Sequence, residues 1–196
     1  MGKRGSRRGK SRPARSAEKK LYRGLYEVDK LLVEGIESAR KGDGVNSERL
    51  FKQALELEPD SPDILNNLAS AYALQGRGDE SDRLIRKIHQ QRPDYLFGVT
   101  NLANIHIHNR EFDEAAELLK PLMSRKRMHH EELLAVIETN IHLYVAKGET
   151  EYASLWLDMW EKIAPDDPKL REWRMRIELQ NIPGTLRRYL ERNSQR

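Results

Sequence analysis

The sequence predicts an all-α fold, a solenoid of helix-turn-helix units closed by a C-terminal capping helix, and three observations carry that prediction. Apolar residues recur at three- and four-residue spacing from about residue 25 onward. Gly, Pro and Asp stand at the breaks between the periodic stretches. Shifted by 34 residues, the chain matches itself: Gly42 falls on Gly76 and then Arg110, Ser47 on Ser81 and Ala115, Phe51 on Ile85 and Leu119, and Pro59 on Pro93. One more copy follows after 38 residues, with Gly148, Ala153, Leu157 and Pro165 in the same columns.

In chain order, residues 1–20 come first and read as a disordered basic tail. They carry nine Lys/Arg against Glu18 alone, a local net charge of +8, which leaves 4 − 8 = −4 for the remainder. Such a stretch has almost no apolar surface to offset its ordering entropy. Residues 21–182 make the body, with units at 28–61, 62–95, 96–133 and 134–167. The first unit holds Leu31, Gly35, Ser47, Phe51, Ala54 and Pro59, with Glu34 and Ser38 in columns that are otherwise apolar or aromatic. The second holds Leu65, Leu68, Ala69, Tyr72, Ser81, Ile85 and Pro93. The third holds Val99, Leu102, Ala103, His106, Ala115 and Leu119, and the fourth Ile137, Tyr144, Ala153, Leu157 and Pro165. The four extra residues before the fourth unit, near 123–132, amount to about one helical turn and lengthen either a helix or its loop. Residues 168–182 are the cap, with Leu170, Trp173 and Ile177 on one face and Arg171, Arg174 and Glu178 elsewhere, and 183–196 form a short basic helix or tail.

A 34-residue pattern of Leu, a small residue, Tyr, Ala, an aromatic and a closing Pro resembles the tetratricopeptide repeat. The resemblance implies a right-handed α-solenoid of about four repeats whose first helices line a concave face. The small residues Gly35, Ala69, Ala103, Ser47, Ser81, Ala115 and Ala153 then serve close approach of the paired helices.

It also implies a non-catalytic adaptor that binds an extended segment of another protein in that groove. The residues expected there are Asp63, Asn66, Asn67 and Ser70, then Thr100, Asn101, Asn104 and His108, then Glu138, Thr139 and His142. Asn67 and Asn101 are one period apart, like the asparagine ladder of peptide-binding superhelices, and an amide both donates to and accepts from a peptide backbone. Where chaperone-binding members clamp a carboxylate, this chain has Leu32, Asn66, Asn101 and Phe97, so that mode is not expected. The alternative function is an RNA- or ribosome-associated factor tethered non-specifically through a polyanion-binding tail of Lys3, Arg4, Arg7, Arg8, Lys10, Arg12 and Arg15.

Other chemistry finds little support. There is no cysteine, hence no thiolate ligand or nucleophile, which fits a reducing, cytoplasmic setting. No phosphate-cradling glycine loop or catalytic triad set is present, so no enzyme and no cofactor are expected. His108 and His142 could converge across units, but no third ligand accompanies them and no metal is expected. Nothing approaches the ~20 apolar residues of a membrane span, so no membrane partner is expected. Trp156 and Trp160 are one turn apart and should pack beneath the cap with Trp173.

Overall fold

The computed structural model describes the backbone of residues 12–182 and the side chains of residues 24–182. The described residues are helical without strands, which is the all-α class of repeated hairpins expected of an α-solenoid. They divide into two compact units, one ending at Leu84 and the other beginning at Ile85.

In the first unit, α1 (Arg12–Arg40) pairs with α2 (Gly44–Leu57), which packs on α3 (Pro62–Leu74); α4 (Gly78–Gln91) begins there. Val28, Phe51, Ala54, Ile64, Leu68 and Ala71 form the core. Phe51 is 1% exposed, a burial that stabilises by roughly 1.5–3 kcal/mol. A Cβ on Gly35 would stand 2.5 Å from Phe51 Cε1, so the small residue of that column is what lets the ring in. Gly44 works likewise from the other helix: a Cβ there would lie 3.0 Å from Leu74 Cβ and 3.1 Å from Ala71 O. Gln75 ties the same corner, its amide donating to Gly44 O at 3.1 Å and to Glu48 at 2.8 Å. Glu48 also pairs with Lys52 and Arg77, and the Lys52 hydrogen bond above all holds its carboxyl below the usual range.

In the second unit α4 ends and α5 (Leu96–His108) follows, then α6 (Phe112–Leu119), a 3-10 turn (Lys120–Ser124), α7 (His130–Lys147), α8 (Thr150–Ile163) and α9 (Lys169–Asn181). Two cores fill it, one around Val99, Ala103, Ala115 and Leu119, the other around Ile137, Ile141, Leu157, Trp160 and Trp173. Trp160 is buried, its Nε1–H donating to Asp167 at 3.2 Å, and Trp156 is half-buried against the same core, so the tryptophans do pack together under the cap.

The self-matching columns now have causes. Gly42, Gly76, Arg110 and Gly148 all close the first helix of a pair at positive φ, between 64° and 80°, a region that favours glycine. Arg110 alone occupies it with a side chain. The second helices α2 and α4 have 14 residues each, whereas α6 stops after eight, because Pro121 lacks an N–H and its ring clashes with the carbonyl four residues back. The four extra residues lengthen a helix: by the offset of 38, α7 should start at 134, and it starts one turn earlier at His130. Its first turn is held by the His129 N–H, which donates to Glu132 at 2.8 Å.

At the N-terminus, residues 1–11 of the expected basic tail lie outside the described residues, and the backbone of residues 12–20 is helical, as the start of α1. Ala14, Ala17, Glu18 and Lys19 are strong helix formers, and extending an existing helix costs far less than nucleating one. The reading of 183–196 as a basic helix or tail also falls outside the described residues.

Candidate functional site

In the second unit the first helices α5 and α7 and the cap α9 bring a row of polar side chains together. His142 on α7 donates its Nδ1–H to Asn104 Oδ1 on α5 at 2.9 Å, which leaves Nε2 as an acceptor. Its ring is 6.0 Å from that of Trp173 on α9, and the Arg176 guanidinium lies 4.9 Å from the centre of the Trp173 ring. Burial first, and then the positive charge of Arg176, push the His142 pKa below its ordinary value, so the ring is held neutral. Beside it Glu138 accepts from Lys169 Nζ at 2.8 Å and from Trp173 Nε1 at 3.4 Å. Trp173 thus sits between the two sets, packed below by the core and bonded above to Glu138.

The arrangement offers donors and acceptors at successive helices: the Asn104 amide, the imidazole, a carboxylate, an ammonium and a guanidinium. Such a row can hold the backbone and polar side chains of an extended segment. It contains no nucleophile paired with a base, and among the described residues no group of three or more His, Asp or Glu side chains could hold a metal. The surface cleft lined by Glu161, Asp166, Arg171, Arg174 and Met175 shares no residue with the row.

The residues expected from sequence divide into several groups. Asn104, Glu138 and His142 are in the row, and His108 is exposed at the end of α5. Asn101 is half-buried on α5. Thr100 requires a correction: it is 3% exposed and its hydroxyl donates to Phe97 O at 3.2 Å, so it belongs to the core side of α5. Thr139 likewise is 2% exposed and donates to Ala135 O. In the first unit Asn67 is half-buried, its amide donating to Asp63 O at 2.9 Å, and the exposed Ser70 hydroxyl donates to the carbonyl of Asn66 at 3.3 Å. Of the tail residues, Lys3, Arg4, Arg7, Arg8 and Lys10 lie outside the described residues, while Arg12 and Arg15 fall on the first turns of α1.

Sequence reasoning missed Lys169, Trp173 and Arg176. The signal was present, since Arg176 is one period of 34 beyond His142, but the column ended early because α9 was read only as a cap.

The tetratricopeptide repeat family profile matches residues 39–97. No curated protein matches the sequence. Among solved structures, a tetratricopeptide repeat protein from Parabacteroides merdae is similar at 19% identity and a TM-score of 0.47, over 80% of this chain and 60% of that one. This chain therefore spans about three fifths of that protein's length. MamA from AMB-1 is similar at 19% identity and a TM-score of 0.46, over 78% and 85% of the two chains. Among the described residues no helix is long and apolar enough to cross a membrane.

Proposed function

We propose that this chain, whose residues 39–97 match the tetratricopeptide repeat family, is a non-catalytic interaction scaffold that binds an extended segment of a partner protein along the polar faces of its first helices, in a reducing compartment such as the cytoplasm. The observation that carries the reading is the Asn104–His142 hydrogen bond, which aligns the polar faces of two successive first helices and brings Arg176 into the same column. A neutral imidazole with a free acceptor, next to an amide and a guanidinium, suits a peptide backbone, whose N–H and C=O groups alternate. Asn101 extends the same chemistry on α5, with His108 and Glu138 flanking it, and within the first unit Asn66, Asn67 and Ser70 offer similar groups on α3.

The test is titration calorimetry with a peptide from a partner recovered from cells, against Asn104→Ala with Arg176→Ala, and separately Asn67→Ala with Asn101→Ala. Each lost hydrogen bond should weaken binding by ~0.5–1.5 kcal/mol with the melting temperature unchanged. Unaltered affinity in both pairs would remove the polar row from the proposal.

A further inference from the structure

Helix α8 carries apolar residues on two sides. Ala153, Leu157 and Trp160 are buried in a core of the second unit. Tyr152, Leu155 and Met159 succeed one another at spacings of 3 and 4 and form a second row, about 10 Å long at ~1.5 Å per residue. They are 55%, 64% and 42% exposed. The half-buried Trp156 borders the row, and Tyr144 of α7 extends it, its ring stacked on that of Tyr152 at 5.3 Å. The equivalent positions of the other repeats differ in character. Counted back by 38 and then by 34, the Tyr152 column holds Glu114, Glu80 and Asn46, the Leu155 column Glu117, Arg83 and Arg49, and the Met159 column Pro121, Lys87 and Gln53. Single large apolar residues in solvent are ordinary, but three in succession on one helix, where α2, α4 and α6 carry charges and amides, mark a surface that a partner covers.

The charges beside the row fit a particular partner. Glu151 and Lys162 stand near its two ends, 11 residues apart, so at about 100° per residue they lie within ~20° of one another around the helix. Glu161 pairs with Arg174 of α9 at 2.9 Å, whereas among the described residues neither Glu151 nor Lys162 has an ion-pair partner. An apolar row with an acid at its N-terminal end and a base at its C-terminal end is complementary to itself when turned end for end. We propose that α8 is a self-association surface, on which a second copy of this chain lays its own α8 antiparallel about a two-fold axis near Leu155. Tyr152 then packs on the partner's Met159 and Leu155 on the partner's Leu155, while Glu151 meets the partner's Lys162 at each end. Parallel pairing would instead set Glu151, Asp158 and Lys162 each against its own like charge. One helix pair stands at the low end of specific interfaces, so the association is reversible, with a dissociation constant on the order of micromolar. The surface shares no residue with the polar row, so the inference stands apart from the peptide reading.

Sedimentation velocity of the full-length protein from about 1 to about 200 µM, a range that brackets a micromolar constant, tests this. The weight-average mass should rise from that of one chain towards that of two. Leu155→Glu should stay monomeric throughout, with the melting temperature of the parent because the residue is exposed. At low salt, Glu151→Lys alone and Lys162→Glu alone should each weaken association by roughly two- to twentyfold, since the two-fold axis places each like-charge clash twice. The two substitutions together should restore it. A parent that remains monomeric overturns the proposal and leaves the apolar row to a different protein. Parental association by Leu155→Glu overturns it as well, and a double variant no better than the singles overturns the antiparallel arrangement. A circular-dichroism melt of each variant separates lost association from lost fold, and the charge exchange decides the matter should Leu155→Glu fail to fold.

Discussion

Arg110 is the one non-glycine residue at positive φ in the described chain, 64°, at a turn position where Gly42, Gly76 and Gly148 stand in the other pairs. A side chain in that conformation costs ~1–2 kcal/mol, part of which a glycine returns through its freer unfolded state. Arg110→Gly should therefore stabilise the protein by up to about 1 kcal/mol, read as a rise in the urea midpoint; a fall would mean that the Arg110 stacking on Phe112 outweighs the strain. His142 sets a pH dependence of definite sign. Its folded pKa lies below the ordinary ~6.5, so between the two values the unfolded chain binds more protons than the folded one. Stability should be full at pH 7 and decline as pH falls below about 6.5, levelling off once the folded pKa is passed. Arg176 and His108 disfavour the charged ring and Glu138 favours it, so the net direction rests on burial. Thermal melts of the parent and His142→Gln between pH 7 and 5 should diverge in slope, with the variant flatter. Why the 34-residue columns were legible in sequence is plain at this scale: each records a local necessity, such as the φ at Gly76 or the contact of Gly35 with Phe51, that one residue type satisfies. Thr100 was misread because its periodicity is that of the groove, while its short side chain bonds back to its own helix, a choice that spacing does not encode.

Among the elements, α6 and α7 show where sequence periodicity fell silent. An insertion of one turn can enter a helix or a loop without disturbing any column downstream, and only the capping of α7 decides it. The His129–Glu132 bond starts the helix four residues before the column requires. Glu132→Ala should thus cost about 0.5–1 kcal/mol, measured by urea unfolding, and should fray the first turn, seen as faster amide exchange there. Stability unchanged by that substitution would assign the extra turn to packing of Leu133 and Leu134 against the core instead. The cap reads differently from the inner helices for a physical reason. Shifted by 34, Arg171 falls on Ile137 and Arg174 on Asn140, positions that are buried in α7 and exposed in α9, where no further helix among the described residues covers them. The candidate site suffered from the same substitution of roles, since polar residues on a terminal helix read as solvation even where, as at Arg176, they complete a row begun on α5 and α7.

For the molecule as a whole, positive charge is concentrated at the N-terminus, with nine Lys/Arg against Glu18 in residues 1–20. Removing residues 1–20 takes away nine helical residues, 12–20, and none of the described core, so the melting temperature should stay where it is while the helical signal drops only by that share. A clear loss of melting temperature would show that the basic segment stabilises the body. Within each unit, helices pack on their nearest or next-nearest successors in the chain: α1 with α2 and α3, α5 with α6 and α7, α7 with α8 and α9. Contact order is consequently low, because closing each hairpin spans few residues and little loop entropy. Refolding on the microsecond-to-millisecond scale is expected of such a topology. During synthesis, at ~5–20 residues per second, α2 emerges when its partner α1 is already made, and the N-terminal hairpin can be native before the tryptophan core has been translated.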